Sequence, residues 1–222
     1  MVQENFNMAV TATGSDDGSQ TYEIRRTMQR EGRKSLVIEL YPTLACEEAD
    51  RLDLSSMHLM NHASELGWND VRVVNLYADV VSGKPRVSEL NDAENSLPYI
   101  EDILEEDDIN EYDIIIAWGS ALSTHKASIN LKIDILTMLK EKGLTSQIKC
   151  IGTDTMFMAE SYGVHPLYLG LHYGKDVWSL VDYPLEDEIK KLNDSLRTVQ
   201  ADSEPKGKRG RKKNVSEIKE CA

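Results

Sequence analysis

Cysteine is scarce in this sequence, and its three copies, Cys46, Cys150 and Cys221, lie far apart. An odd number of cysteines without a C-x-x-C pair favours reduced thiols over a disulfide framework or structural zinc. Three cysteines also exclude an iron–sulfur cluster held by four of them.

Long apolar runs are missing too. The sequence has no stretch of about 18 consecutive apolar residues, and no early basic segment leads into an apolar one. We therefore expect neither a signal peptide nor a membrane partner, and a cytoplasmic protein. The motifs G-x-x-x-x-G-K-[ST], G-x-G-x-x-G and G-x-S-x-G are absent as well, so we expect no bound cofactor and no α/β-hydrolase nucleophile.

The residues that are present suffice for one domain. A chain of 222 residues, 41% of them apolar, can bury one sizeable core. We expect a polar, disordered leader over residues 1–20, an α/β domain over residues 21–200 and a basic, flexible tail over residues 201–222.

Charge is unevenly distributed along the chain. The net charge is -13, yet residues 201–222 hold seven lysines and arginines against four acidic residues. The acidic body repels phosphate backbones, whereas the tail attracts them. The tail contains Arg-Gly-Arg, as arms that enter the DNA minor groove do, so we favour a nucleic-acid-binding arm over a solubilising tail. Its basic cluster comprises Lys208, Arg209, Arg211, Lys212 and Lys213.

Apolar periodicity predicts strands that alternate with helices. We expect buried strands at residues 35–40, 71–76, 112–118 and 148–152, and helices after Asp53, over residues 97–104 and over residues 119–142. Such alternation indicates parallel crossovers. The predicted fold is a three-layer α/β/α domain around a central, mainly parallel four-stranded sheet, with a ligand at the carboxyl ends of its strands.

Four motifs fall at those strand ends. They are Tyr41-Pro42-Thr43, Asn75, Trp118-Gly119-Ser120 and His165-Pro166, in that order. The series resembles the uracil-DNA-glycosylase superfamily. It resembles more closely a bacterial and phage domain family marked by Leu-Asn-Pro-Ser-x-Ala, Val-Asn-Leu, Ala-Trp-Gly and His-Pro-Leu-Tyr. The resemblance covers residues 22–180.

This resemblance implies a DNA glycosylase that binds a flipped nucleobase, a pyrimidine or a modified base, and hydrolyses its N-glycosidic bond. It implies that Asn75 contacts the base edge, since an amide is both donor and acceptor. It also implies that His165 donates to the oxygen on which negative charge develops. The further candidates for base contact are Tyr41, Pro42, Thr43, Trp118 and Gly119.

The first motif departs from the superfamily pattern. Tyr41 stands where the superfamily has Asp or Asn to position water, and a phenol with a pKa of about 10 is a poor general base. Asp53 is a candidate catalytic carboxylate, although helix capping alone would explain it. Glu39 is another candidate, but its place inside the strand predicts that it points away from the loop.

Two histidines suggest a metal site more weakly. His58 and His62 are four residues apart on one predicted helix, but no H-E-x-x-H pattern accompanies them. A solvated helix face is the favoured interpretation, and we expect no metal.

Two other functions stay open beside a glycosylase that acts on DNA. Tyr41 would suit a catalytically inactive module that binds nucleobases, nucleotides or nucleic acid. The acidic body would suit a protein that mimics DNA and blocks another protein.

Overall fold

The computed structural model of this chain describes residues 3–81, 83, 93–156 and 162–203. These ranges form seven β-strands and five α-helices. In chain order they are β1 (Met8–Gly14), β2 (Thr21–Met28), β3 (Arg33–Glu39), α1 (Leu54–His62), β4 (Trp68–Asn75), α2 (Ala93–Leu104), β5 (Tyr112–Ile116), α3 (Lys126–Glu141), β6 (Ile148–Thr153), α4 (Pro166–Tyr173), β7 (Trp178–Asp182) and α5 (Leu185–Ser203).

All seven strands belong to one mixed sheet in the order β1-β2-β4-β3-β5-β6-β7. Strands β4, β3, β5 and β6 are parallel to one another. The pairings β1 with β2, β2 with β4 and β6 with β7 are antiparallel. The expected four-stranded, mainly parallel sheet is therefore wrong, because three antiparallel strands extend the four predicted strands to a seven-stranded mixed sheet.

Helices cover both faces of this sheet. On one face, α2, α3 and α5 pack against side chains such as Leu36, Val74 and Ile114. On the other face, α1 and α4 pack against side chains such as Val37, Val73 and Ile115. Neighbouring residues of one strand thus enter opposite layers, as strand geometry requires. The fold is a three-layer α/β/α arrangement, and its parallel strands are mainly apolar because both faces of the sheet are buried.

Two predicted segments differ in the structure. The expected disordered leader is wrong over Met8–Gly14, which form the edge strand β1. The long helix begins at Lys126 rather than at residue 119. Gly119 and Leu122 have positive φ angles of 65° and 55°, a left-handed conformation that no α-helix contains, so residues 119–125 form a turn instead.

No helix within the described ranges is long and apolar enough to span a bilayer.

Candidate functional site

Two polar side chains lie side by side at the carboxyl ends of the parallel strands. Glu39, the last residue of β3, pairs in register with Asn75, the last residue of β4. The neighbours of both residues along their strands point into the layer of α2, α3 and α5. Glu39 and Asn75 therefore face the layer of α1 and α4. Both are buried, with 6% and 5% of their surface exposed.

His165 approaches this pair from the loop that precedes α4. It is the N-cap of α4, and its Nδ1 atom accepts a hydrogen bond of 3.2 Å from the backbone N–H of Leu167. The proton of the neutral ring is consequently on Nε2. This Nε2 atom lies 3.9 Å from Oε2 of Glu39. The expectation that Glu39 points away from the strand-end loops is wrong.

Gly119 makes that approach possible. A Cβ atom at this position would lie 3.1 Å from the Cβ atom of His165, and the positive φ angle of Gly119 disfavours other residues as well. The backbone N–H of Gly119 also donates to the carbonyl oxygen of Gly163 at 2.9 Å. The Trp118-Gly119 motif thus fixes the position of the His165 loop.

Burial decides the charge of both groups. It raises the pKa of Glu39 to about 8, with a further rise from the charge of Asp53 and an opposing effect of Arg26. Burial lowers the pKa of His165 to about 4, against the attraction of Asp53. At neutral pH the carboxyl group is therefore mainly protonated and the imidazole is neutral, so the close pair is not an ion pair.

Asp53 caps helix α1, as its place in the sequence predicts. One carboxylate oxygen accepts a hydrogen bond of 2.7 Å from the backbone N–H of Ser56. The other oxygen accepts a short hydrogen bond from the hydroxyl group of Thr43. The candidate carboxylate and the candidate loop residue Thr43 are thus brought together, and both oxygens of Asp53 are occupied.

Arg26 of β2 completes the group and has no counterpart among the sequence-based candidates. Its guanidinium donates to the carbonyl oxygens of Ala49 and Arg51 at 3.0 and 2.9 Å. Its side chain is on the same face as Glu39, because Arg26 pairs with Val71 of β4. Glu39, Asn75, Asp53, His165 and Arg26 are called the strand-end site below.

Three buried polar atoms of this site have no hydrogen-bond partner within the described part of the chain. They are Oε1 of Glu39, Oδ1 of Asn75 and Nε of Arg26. Leaving such atoms without a partner costs about 1–3 kcal/mol each, so native proteins rarely do it without a ligand, water or ion. The strand-end site can therefore present acceptors and donors to a small polar ligand.

The aromatic candidates lie elsewhere. Trp118 is buried in the layer of α2, α3 and α5, and Tyr41 packs against the same layer. The expectation that Trp118 lies beside Asn75 and His165 in one pocket is wrong, because alternation along β5 directs it to the opposite face. Pro42 is buried, and its carbonyl oxygen accepts from the N–H of Val81 at 3.0 Å.

The histidine pair is not on a solvated helix face, which corrects that expectation. His62 is buried, stacks on Trp178 with ring centroids 3.9 Å apart, and forms a short hydrogen bond with Glu65. His58 packs against Gly170, where any Cβ atom would collide with its ring. Both histidines thus join α1 to its neighbours, and no group of three or more metal-ligating side chains occurs in the described residues.

The predicted nucleic-acid tail, with Lys208, Arg209, Arg211, Lys212 and Lys213, lies outside the described residues.

The family model described as "Protein of unknown function (DUF1643)" matches residues 21–167 of the chain. The matched segment runs from the first residue of β2 to the start of α4, and it includes every residue of the strand-end site. No curated protein and no solved structure matches the chain.

Proposed function

The chain belongs to the DUF1643 family, and we propose that it binds a nucleobase in the strand-end site and hydrolyses the N-glycosidic bond of that base. One observation carries the proposal: on adjacent strands beside His165, Glu39 and Asn75 each hold a buried oxygen atom that has no hydrogen-bond partner in the described part of the chain. The polar edge of a base offers N–H donors to such oxygens. A base that leaves the DNA stack is a ligand of suitable size and chemistry.

Two carboxyl groups in different surroundings can divide the chemistry. Glu39 keeps its proton at neutral pH and can give it to the departing base, whereas Asp53 acts as an acceptor. Water adds its oxygen atom to the sugar carbon as the bond to the base breaks. The proton of the water passes to the carboxylate of Asp53, and the base leaves with the proton of Glu39. A glycosylase-like fold of the uracil-DNA-glycosylase type is part of this proposal.

Binding without cleavage is the second candidate function, and two contacts of Asp53 favour it. Both oxygens of Asp53 already accept hydrogen bonds, from Ser56 and from Thr43. A carboxylate engaged in this way is a weaker base toward water.

Duplexes that carry uracil or modified pyrimidines test the proposal. After incubation with the full chain, alkali converts each abasic site into a strand break. We expect breaks with the parent protein, and a loss of about 100- to 1000-fold in the rate for Asn75→Ala and His165→Ala. Asn61→Ala, at an exposed position of α1, is the matched control and should cleave normally.

Other results of the same assay would support the binding module or contradict the nucleobase proposal. Binding of the duplex without strand breaks, abolished by Asn75→Ala, would support the binding module instead. Asn75→Asp keeps the shape but replaces the amide donor, so either activity should change its base preference or fail. If all variants match the parent protein, or if no duplex is bound or cleaved, the nucleobase proposal is wrong.

A further inference from the structure

Strand β1 lies at one edge of the sheet and, among the described residues, pairs with β2 alone. At the two ends of β1, the backbone N–H of Gln29 donates to the carbonyl oxygen of Asn7, and the N–H of Ser15 donates to that of Gln20. Successive residues of an antiparallel strand direct their backbone groups to alternate sides. Because Asn7 and Ser15 both bond toward β2, the odd-numbered residues between them face β2. The even-numbered residues therefore face the free edge.

The free edge consists of the N–H and C=O groups of Met8, Val10, Ala12 and Gly14. The irregularity of the pairing after Thr13 places an extra residue in β2, so the alternation along β1 is not interrupted. No loop or turn of the described ranges forms a backbone hydrogen bond with these four residues. A row of unpaired backbone groups of this kind is a template for a further strand.

The sequence of β1 lacks the charges and prolines that usually protect an edge strand from pairing with another chain. Residues 5–14 contain neither a charged residue nor a proline, although the net charge of the whole chain is -13. Apolar side chains are exposed here, with 87% of the surface of Phe6 and 44% of that of Met8 accessible. The opposite edge strand, β7, has five residues against seven in β1 and ends at the exposed Asp182. Of these two edges, β1 is therefore the one suited to strand pairing between chains.

We propose that β1 pairs antiparallel with β1 of a second copy of this chain, about a twofold axis at Thr11. In this register Met8 of one copy lies opposite Gly14 of the other, and Val10 lies opposite Ala12. Every residue of the free edge then belongs to a hydrogen-bonded pair, each larger side chain faces a smaller one, and no charged side chain of β1 faces another. Such an interface uses the same surface of both copies and closes at a dimer. The two seven-stranded sheets become one continuous sheet.

Analytical ultracentrifugation of the full chain at micromolar concentrations tests the dimer. We expect a concentration-dependent dimer, weakened about tenfold or more by Thr11→Lys, because this change places two like charges directly opposite each other at the axis. Thr11 is exposed, so the variant should keep the fold of the parent chain, as circular dichroism can verify. Ser179→Lys, at an exposed position of the opposite edge strand β7, is the matched control and should dimerise as the parent chain does.

Thr11→Cys tests the register independently. Residues that face each other at a position of this kind form a non-hydrogen-bonded pair with Cα atoms about 4.5 Å apart, a separation that a disulfide can bridge. Mild oxidation should therefore link two chains through their new cysteines, which peptide mass spectrometry identifies, whereas Ser179→Cys should give no such link. A parent chain that stays monomeric at these concentrations overturns the proposal. Equal dimerisation of Thr11→Lys and the parent chain, or no disulfide in Thr11→Cys, does so as well.

Discussion

Replacement of Glu39 or Asn75 should change the stability of the fold as well as its activity. Both are the last residues of buried parallel strands, and neither is exposed enough to be replaced without consequence for stability. Substitutions of Asn75 are therefore expected to lower the free energy of unfolding by more than the roughly 0.5 kcal/mol usual at surface positions. Stability has to be measured beside activity for each variant of the strand-end site.

The pH dependence of stability should reveal the state of Glu39. Its pKa is about 8 in the folded chain against an ordinary value of 4.5, so the folded state holds the proton more tightly. Stability is then highest below the ordinary pKa and is lost as the pH rises toward 8. Relative to Glu39→Gln, the parent protein should lose on the order of 1 kcal/mol per pH unit across this window. Urea unfolding at several pH values measures the difference, and parallel curves for the two proteins would contradict it.

Asp53 allows capping and catalysis to be separated. Asp53→Ala should lower the free energy of unfolding by about 1 kcal/mol, because the N-cap of α1 is lost. Asp53→Asn keeps an oxygen atom for the Ser56 N–H and should retain most of that stability. If the carboxylate is the base, the same variant loses base release. Thermal unfolding and the strand-break assay on both variants decide this, and full base release by Asp53→Asn would restrict Asp53 to capping.

The sequence motifs predict some residues of the strand-end site, and the other residues can be recognised only from the packing of the folded chain. Asn75 and His165 are placed near one another by the order of strands and loops, which the sequence makes visible. The role of Glu39 depends on which face of β3 the His165 loop covers, and periodicity contains no information on that. The sequence does not predict a role for Arg26, because β2 has charged residues at buried positions and therefore lacks an alternation of apolar and polar residues.

Among the contacts between elements, Gly119, which follows β5, packs against His165, the N-cap of α4. Gly119→Ala should destabilise the fold and displace His165, because the new methyl group would meet the His165 Cβ atom at 3.1 Å in a left-handed backbone. Gly143→Ala is the matched control: its φ angle is also positive, at 75°, but no atom lies within 4 Å of the added carbon. The control should cost only the backbone strain, roughly 1 kcal/mol. Denaturant unfolding of both variants checks the difference, and equal losses would show that the contact with His165 is unimportant.

The strands differ in how clearly their sequences predict them. Each of the four central strands contains a short apolar stretch, such as Leu36-Val37-Ile38 in β3 and Ile114-Ile115-Ile116 in β5, and these stretches predict all four strands. Strand β2 was not, because its charged residues are neutralised by partners far along the chain: Arg25 pairs with Asp70, and Glu23 pairs with Arg72 at 2.8 Å. The edge strand β1 is largely exposed and polar, so its composition resembles that of a disordered segment.

Across the molecule, the contrast between acidic body and basic tail gives a further prediction. A chain that ends at Ser203 keeps α5 and loses the basic cluster. We expect it to bind DNA more weakly and with a flatter dependence on salt. The logarithmic slope should fall by up to about 0.9 for each phosphate that the shortened chain no longer neutralises. Replacement of the five basic residues by Gln at full length is the control for chain length and should behave alike. Fluorescence anisotropy at several salt concentrations measures the slope, and an unchanged slope would exclude the arm.

The turn of residues 119–125 is held from both faces of the sheet, with Gly119 against His165 and Ala121 against the ammonium group of Lys132. Lys132 lies on α3 and beside the Trp118 ring, in the layer opposite to the strand-end site. A displacement of the His165 loop toward Gly119 would therefore strain a hydrogen bond on the far side of the sheet. The position of the imidazole is in this way anchored by a lysine of the opposite layer.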